Sequence, residues 1–186
     1  QPRSAGRGGV MTIIGQATIT ATTASALQSG LAFAFTDLSD LRDQITSRPE
    51  CPSCDLSDFR RAGPNVKRAI LVAILAAIDC GPQWRPDATA LLGWNGEGCA
   101  AENALFWQDY VANGRTQGRG ALFVPTLCSI PLCEAAITLG IHGPAAYLHG
   151  PDLADAIAAR YAPFIMTITI ADSQTTATVL ETSHEA

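Results

Sequence analysis

The residues of this chain best equipped for chemistry are six cysteines, at positions 51, 54, 80, 99, 128 and 133, and three histidines, at 142, 149 and 184. Cys51 and Cys54 enclose Pro52 and Ser53 in a C-x-x-C pair, a spacing that suits a metal thiolate or a redox dithiol. A closed zinc site needs four ligands, and no second C-x-x-C supplies them; Cys80, Cys99 or a histidine would have to complete the set. A redox pair belongs at a helix N-terminus directly after a strand. This one falls in the Pro-bearing loop RPECPSCDLSD between two helical patterns. The other four cysteines sit among Ala, Leu and Ile and read as small buried hydrophobes.

His149, with Gly150, Pro151 and Asp152 behind it, lies where a strand pattern meets a helix pattern. A His–Asp pair there offers acid–base chemistry; the plainer reading is a turn and an N-cap. No G-x-S-x-G is present to make a hydrolase nucleophile. His142 precedes Gly143-Pro144 and reads as a turn residue, and His184 falls in the C-terminal tail. The run GWNGEG (93–98) follows a strand and precedes a helix, as a phosphate-binding loop would. Its glycines are ordered G-x-x-G-x-G, and no Lys-Ser/Thr pair closes it, so a tight turn needing glycine dihedrals is the better reading.

These residues are carried by an alternating α/β pattern. VMTIIGQATITATT (10–23) is β-branched and reads as one strand or a hairpin. Asp37 caps the short helix DLSDLRDQI, whose Leu38, Leu41 and Ile45 share a face. Asn65 is the expected cap of VKRAILVAILAAID, a helix that is apolar all round after Arg68 and so covered on more than one side. A buried strand, ATALLGW, leads into the glycine turn, and the helix AAENALFWQDYVANG stops at Gly114. The linker RTQGRGALFVPT reaches the helix SIPLCEAAITLG, with Pro131 in its first turn. IHGPAAYLHG reads as turn and strand, and Pro151-Asp152 opens the helix DLADAIAARYA. PFIMTITIAD and TTATVLET are final strands joined at Ser173-Gln174. The expected fold is a layered α/β domain with a mixed sheet flanked by helices.

The chain has 186 residues, 47% hydrophobic and 16% charged, which predicts one globular domain spanning 11–182. Residues 1–10 read as a flexible leader, with Met11 a candidate start, and 183–186 as a tail. A net charge of −5 with scattered basic residues argues against nucleic-acid binding. The longest apolar run, residues 69–78, is about half the ~20 residues that span a bilayer. Without an h-region or a dense cysteine framework, a reduced, cytoplasmic protein is expected.

Three stretches share a further likeness. These are the Arg-containing, Ala-rich helix KRAILVAILAAID, the strand and turn ATALLGWNGEG, and the run FWQDYVANGRTQGRGALFVPTLCSIPLCEAAITLGIHGP. In order and pattern, residues 62–170 resemble the N-terminal half of a β-ketoacyl synthase. The resemblance implies half of a thiolase-like fold, in which two similar halves pack face to face around central helices. In that family the strand after Gly-Pro delivers a nucleophilic cysteine at a helix start. Counting from Gly143-Pro144, Asp152 occupies that position here. A carboxylate at a helix N-terminus is held ionised and is a poor acyl acceptor. The family's two catalytic histidines belong to its second half, so neither His142 nor His149 is carried over. The resemblance therefore implies a ketosynthase-like subunit of fatty-acid or polyketide biosynthesis that lacks the catalytic set, with no cofactor and no metal. It also implies a homodimer or a heteromer with a ketosynthase, paired through residues 145–149 and through apolar surface left open by the missing half, including part of 69–78. An acyl carrier protein is a further expected partner, with Arg115 and Arg119 as the basic candidates to meet it. The alternative from a different class is a small metal- or redox-binding protein built on Cys51 and Cys54.

Overall fold

The computed structural model describes residues 10–96, 98–116, 118–148, 162–171 and 173–183. The expected helix from Asp152, together with His149 and His184, lies outside the described residues. The described chain runs through β1 (Val10–Ile19), β2 (Thr23–Ala26), β3 (Leu31–Ala34), α1 (Leu38–Thr46) and α2 (Pro64–Cys80). It continues with β4 (Thr89–Asn95), α3 (Ala100–Ala112), α4 (Gly120–Phe123), α5 (Ile130–Leu139), β5 (Ala145–Tyr147), β6 (Phe164–Ile170) and β7 (Thr175–Ser183).

Seven strands form one mixed sheet in the order β3-β2-β1-β7-β6-β4-β5. β4 runs parallel to both β5 and β6, and every pairing from β6 to β3 is antiparallel. The β-branched stretch at the N-terminus is a single long strand through Ile19, not a hairpin in itself. Its hairpin partner is β2, with β3 added beyond it, and neither short strand was expected from the sequence. At the other end, Ala171 and Gln174 exchange both backbone hydrogen bonds, so Gln174 pairs with Ala171 rather than turning the chain.

Alternation gives the sheet two chemically different faces. One carries Ala17, Ile19, Met166, Ile168, Ala177 and Val179, all buried against α2. The other carries Thr18, Thr176 and Thr169 in one cross-strand row and Gln16, Thr178 and Thr167 in the next, all half-buried. Threonine pairs suit this pleated, partly wet surface. Toward β4 the same face closes into a small apolar cluster of Leu92, Leu148 and Ile165.

α2 is the core element. Its start differs from the expectation: Gly63 is the N-cap and Pro64 the first helical residue, with Asn65 inside the first turn. Proline has no N–H to leave unpaired and its fixed φ suits that first position. Gly81, at φ 55°, ends the helix in a conformation that favours glycine. Every residue from Ala69 to Cys80 is buried. The apolar surface expected to stay open on residues 69–78 is therefore covered within this chain. The sheet packs on one side, α5 and α1 on another. The loop at 47–63 completes the cover with Cys51, Cys54, Leu56 and Phe59. α1 is capped as expected, with the Asp37 carboxylate accepting from the N–H groups of Ser39 and Asp40 at 2.7 and 3.0 Å.

Candidate functional site

Because β4 and β5 are parallel, their carboxyl ends open at the same edge of the sheet, where open α/β sheets characteristically bind ligands. Asn95 is the last residue of β4, and its side-chain amide donates to the Gly98 carbonyl. The Gly98 N–H returns a bond to the Asn95 carbonyl at 3.2 Å, and Gly98 sits at φ 62°. The GWNGEG stretch is thus a tight turn closed by its own asparagine, one that extends β4 to Asn95 and delivers Cys99 to the N-cap of α3. Tyr147 ends β5, and its hydroxyl donates to the Asn95 carbonyl at 3.2 Å.

Cys128 completes the group from the segment before α5. Its sulfur lies beside the Gly98–Cys99 turn and near the Tyr147 hydroxyl. Burial, then the neighbouring Cys128 thiol, pushes Cys99 up to about 12. A helix N-terminus favours a thiolate. Desolvation wins here, and the charge of Glu102 in the first turn acts in the same direction. Burial and the nearby thiols likewise raise the Tyr147 phenol. The arrangement sets two thiols and a phenol near one another. It can donate hydrogen bonds, but Cys99 holds no standing nucleophile at neutral pH.

The other expected residues fall apart in space. Cys51 and Cys54 touch each other in the loop between α1 and α2, half-buried against the core. Burial, then Cys54, pushes the Cys51 thiol up to about 11, and burial raises Cys54. They act as apolar cover for α2. Among the described residues, no group of three or more His, Cys, Asp or Glu side chains is placed to hold a metal. Cys80 is buried as expected, but Cys128 is half-buried and Cys133 is exposed on the outer side of α5. His142 is exposed in the loop before β5; His149 and Asp152 lie outside the described residues. Arg119 pairs with Asp109 at 3.4 Å and Arg115 lies 5.9 Å from the Trp107 ring, so both already have partners within the chain.

One polar residue was missed. Asp79, 7% exposed in the last turn of α2, accepts the N–H groups of Gln16, Gln28 and Ser29 at 2.8, 3.0 and 2.6 Å, plus the Ser29 hydroxyl at 2.7 Å. Burial opposes its ionisation, but the bonds from Gln16, Ser29 and Gln28 outweigh it and hold the carboxyl below its ordinary value. Asp79 pins the β1 strand and the β2–β3 turn to the helix. It is a structural clamp, not a reactive group.

No family model matches the chain, and no curated protein matches it. Among solved structures, the chain is similar to a ketosynthase (ApeO) in complex with its chain length factor (ApeC) from Xenorhabdus doucetiae. The TM-score is 0.58 at 10% identity, over 93% of this chain and 79% of that one. The likeness is therefore to most of the matched chain. At this identity it shows the fold alone: a mixed α/β sheet flanked by helices, arranged as in that structure.

Proposed function

We propose that this chain is a ketosynthase-like subunit of fatty-acid or polyketide biosynthesis that runs no condensation itself and acts by associating with a synthase or an acyl carrier protein. The observation that carries the reading is the fold match across nearly the whole chain to a complex of a ketosynthase with its chain length factor. The residues support the inactive part: Asp152 stands in sequence where the resemblance places a cysteine nucleophile. Cys99, in the group at the carboxyl ends of β4 and β5, has its thiol pushed up to about 12 by burial and is no ready nucleophile.

β5 supports the associating part. Among the described residues it is an edge strand of three residues. Its inward bonds run through the Pro144 carbonyl to the Leu91 N–H and from the Leu148 N–H to the Gly93 carbonyl. By the two-residue period, the Ala145 N–H points away from β4, on the side where a partner strand would pair.

Acyl transfer tests the reading. The protein is incubated with acyl-carrier and acyl-CoA thioesters, alone and with a ketosynthase, and intact masses are measured. Acylation is expected on the ketosynthase alone. Stable, stoichiometric acylation of this chain at any cysteine would overturn the inactive assignment.

A further inference from the structure

The start of α2 sets Pro64, Lys67 and Arg68 on one stripe of the helix, at spacings i, i+3 and i+4. That stripe is one wall of an open cavity of ≈ 340 Å³. Ala21 from the β1–β2 turn, Phe35 just after β3, and Asp37, Leu38 and Ser39 at the start of α1 make the rest. The cavity thus lies beside β3, at the opposite edge of the sheet from β5. Lys67 and Arg68 are half-buried rather than extended into solvent. Among the described residues neither makes an ion pair or a side-chain hydrogen bond, and the Arg68 Nε is buried with no partner. Lys67 Nζ stands 5.6 Å from the centre of the Phe59 ring, which attracts a cation but does not neutralise it. Cations drawn partly out of water without a counter-charge are costly, and a bound anion removes that cost. The helix end adds to the same field. Gly63 caps α2 with no side chain and Pro64 has no N–H, so the Asn65 and Val66 N–H groups stand open at the positive end of 17 residues.

We infer that this cavity binds a small phosphomonoester, with the phosphate held by Lys67 and Arg68 and the carbon body against Phe35 and Leu38. A guanidinium fork beside an ammonium suits the several oxygens of one phosphate. The Ser39 hydroxyl, on the wall contributed by α1, offers a further donor. Asp37 sets the limit on charge. Its Oδ1 is fixed in the α1 cap by the Ser39 and Asp40 N–H groups, so it stays in the wall as a like charge to the ligand. The site therefore takes one phosphate and disfavours a polyphosphate. The volume sits at the small end of ligand pockets, which selects a body of a few carbons over a nucleotide or a coenzyme. This binding is independent of any association through β5.

The test is calorimetric titration of the full chain with glycerol 3-phosphate at about 0.15 M salt, where non-specific attraction is screened. A single site with Kd below about 1 mM is expected. Lys67→Ala and Arg68→Ala should each weaken it at least about tenfold. Arg60→Ala removes the same charge from an exposed position outside the cavity wall and should leave the affinity unchanged. Ala21→Trp fills the mouth from an exposed turn and should block binding without lowering the melting temperature. If Arg68→Ala does not fold by circular dichroism, Lys67→Ala and Ala21→Trp decide the matter. Absence of heat up to about 10 mM ligand would overturn the inference. So would equal losses in Arg60→Ala and Lys67→Ala, or undiminished binding in Ala21→Trp.

Discussion

Replacing Asp79 with Asn should weaken the fold far more than a single polar exchange near a helix end ordinarily does. The carboxylate receives four hydrogen bonds, three of them from the backbone N–H groups of Gln16, Gln28 and Ser29. A hydrogen bond to a charged group contributes about 1.5–3 kcal/mol, and a stranded buried donor costs a similar amount. Ser29 and Gln28 lie in an exposed turn where water can replace the acceptor, so the full cost falls chiefly on Gln16. Asp79→Asn keeps one oxygen and points an amine at donors, which gives a loss of about 2–3 kcal/mol. Asp79→Ala removes both oxygens and should cost about 3–5 kcal/mol. In a domain of this size, the Asn variant should melt about 5–10 °C lower. The pH dependence fixes the cause. The folded pKa of Asp79 is depressed, so its contribution is fully present above the unfolded value near 3.9 and is lost as pH falls through the folded value. Urea unfolding followed by circular dichroism should show the wild-type advantage over Asp79→Asn constant at pH 6–8 and shrinking below about pH 4. A difference under about 0.5 kcal/mol at pH 7, or one that does not shrink in acid, would refute the clamp.

Gly93 faces Leu132 so closely that a Cβ would collide with the leucine side chain. Gly93→Ala should cost about 1–3 kcal/mol by urea unfolding, and Leu132→Ala added to it should recover part of that loss as a measurable coupling in a double-mutant cycle. With its thiol raised to about 11, Cys51 should alkylate slowly at pH 7, where only about one part in ten thousand is thiolate, and its iodoacetamide rate should climb about tenfold per pH unit to pH 10. Ala145→Pro removes an N–H from the open side of β5 while sparing the bonds to β4, so melting should barely change while association through this edge weakens at least about tenfold by analytical ultracentrifugation. Trp107→Ala, at a site 57% exposed, should change stability by less than about 0.5 kcal/mol.

What the sequence made readable was local. The apolar run of α2, the Asp37 cap, the glycine turn before α3 and the β6–β7 hairpin all declare themselves within a dozen residues. β2 and β3 did not, because four-residue strands of Thr, Ala, Ser, Leu and Phe around a Leu27–Gly30 turn carry too few β-branched residues to register as strands. Asp79 looked like the polar end of a helix; its donors lie about 50 to 63 positions earlier in the chain and only folding brings them to it. The placing of Cys128 beside the Gly98–Cys99 turn is equally non-local. The expectation of an open face on α2 came from picturing half of a two-part fold. It failed because the 47–63 loop, with Cys51, Cys54, Leu56 and Phe59, covers that helix from within the same chain. The C-x-x-C spacing that suggested metal or redox chemistry is part of that cover.

Partnership with a ketosynthase is read from the stoichiometry of a mixture of the two proteins. The chain and a ketosynthase from the same genome are combined at about 10 µM and their masses measured by light scattering after size exclusion, a concentration at which an obligate interface is fully assembled. A one-to-one complex is expected, with an affinity lowered at least about tenfold by Ala145→Pro. Separate elution of both proteins would contradict it.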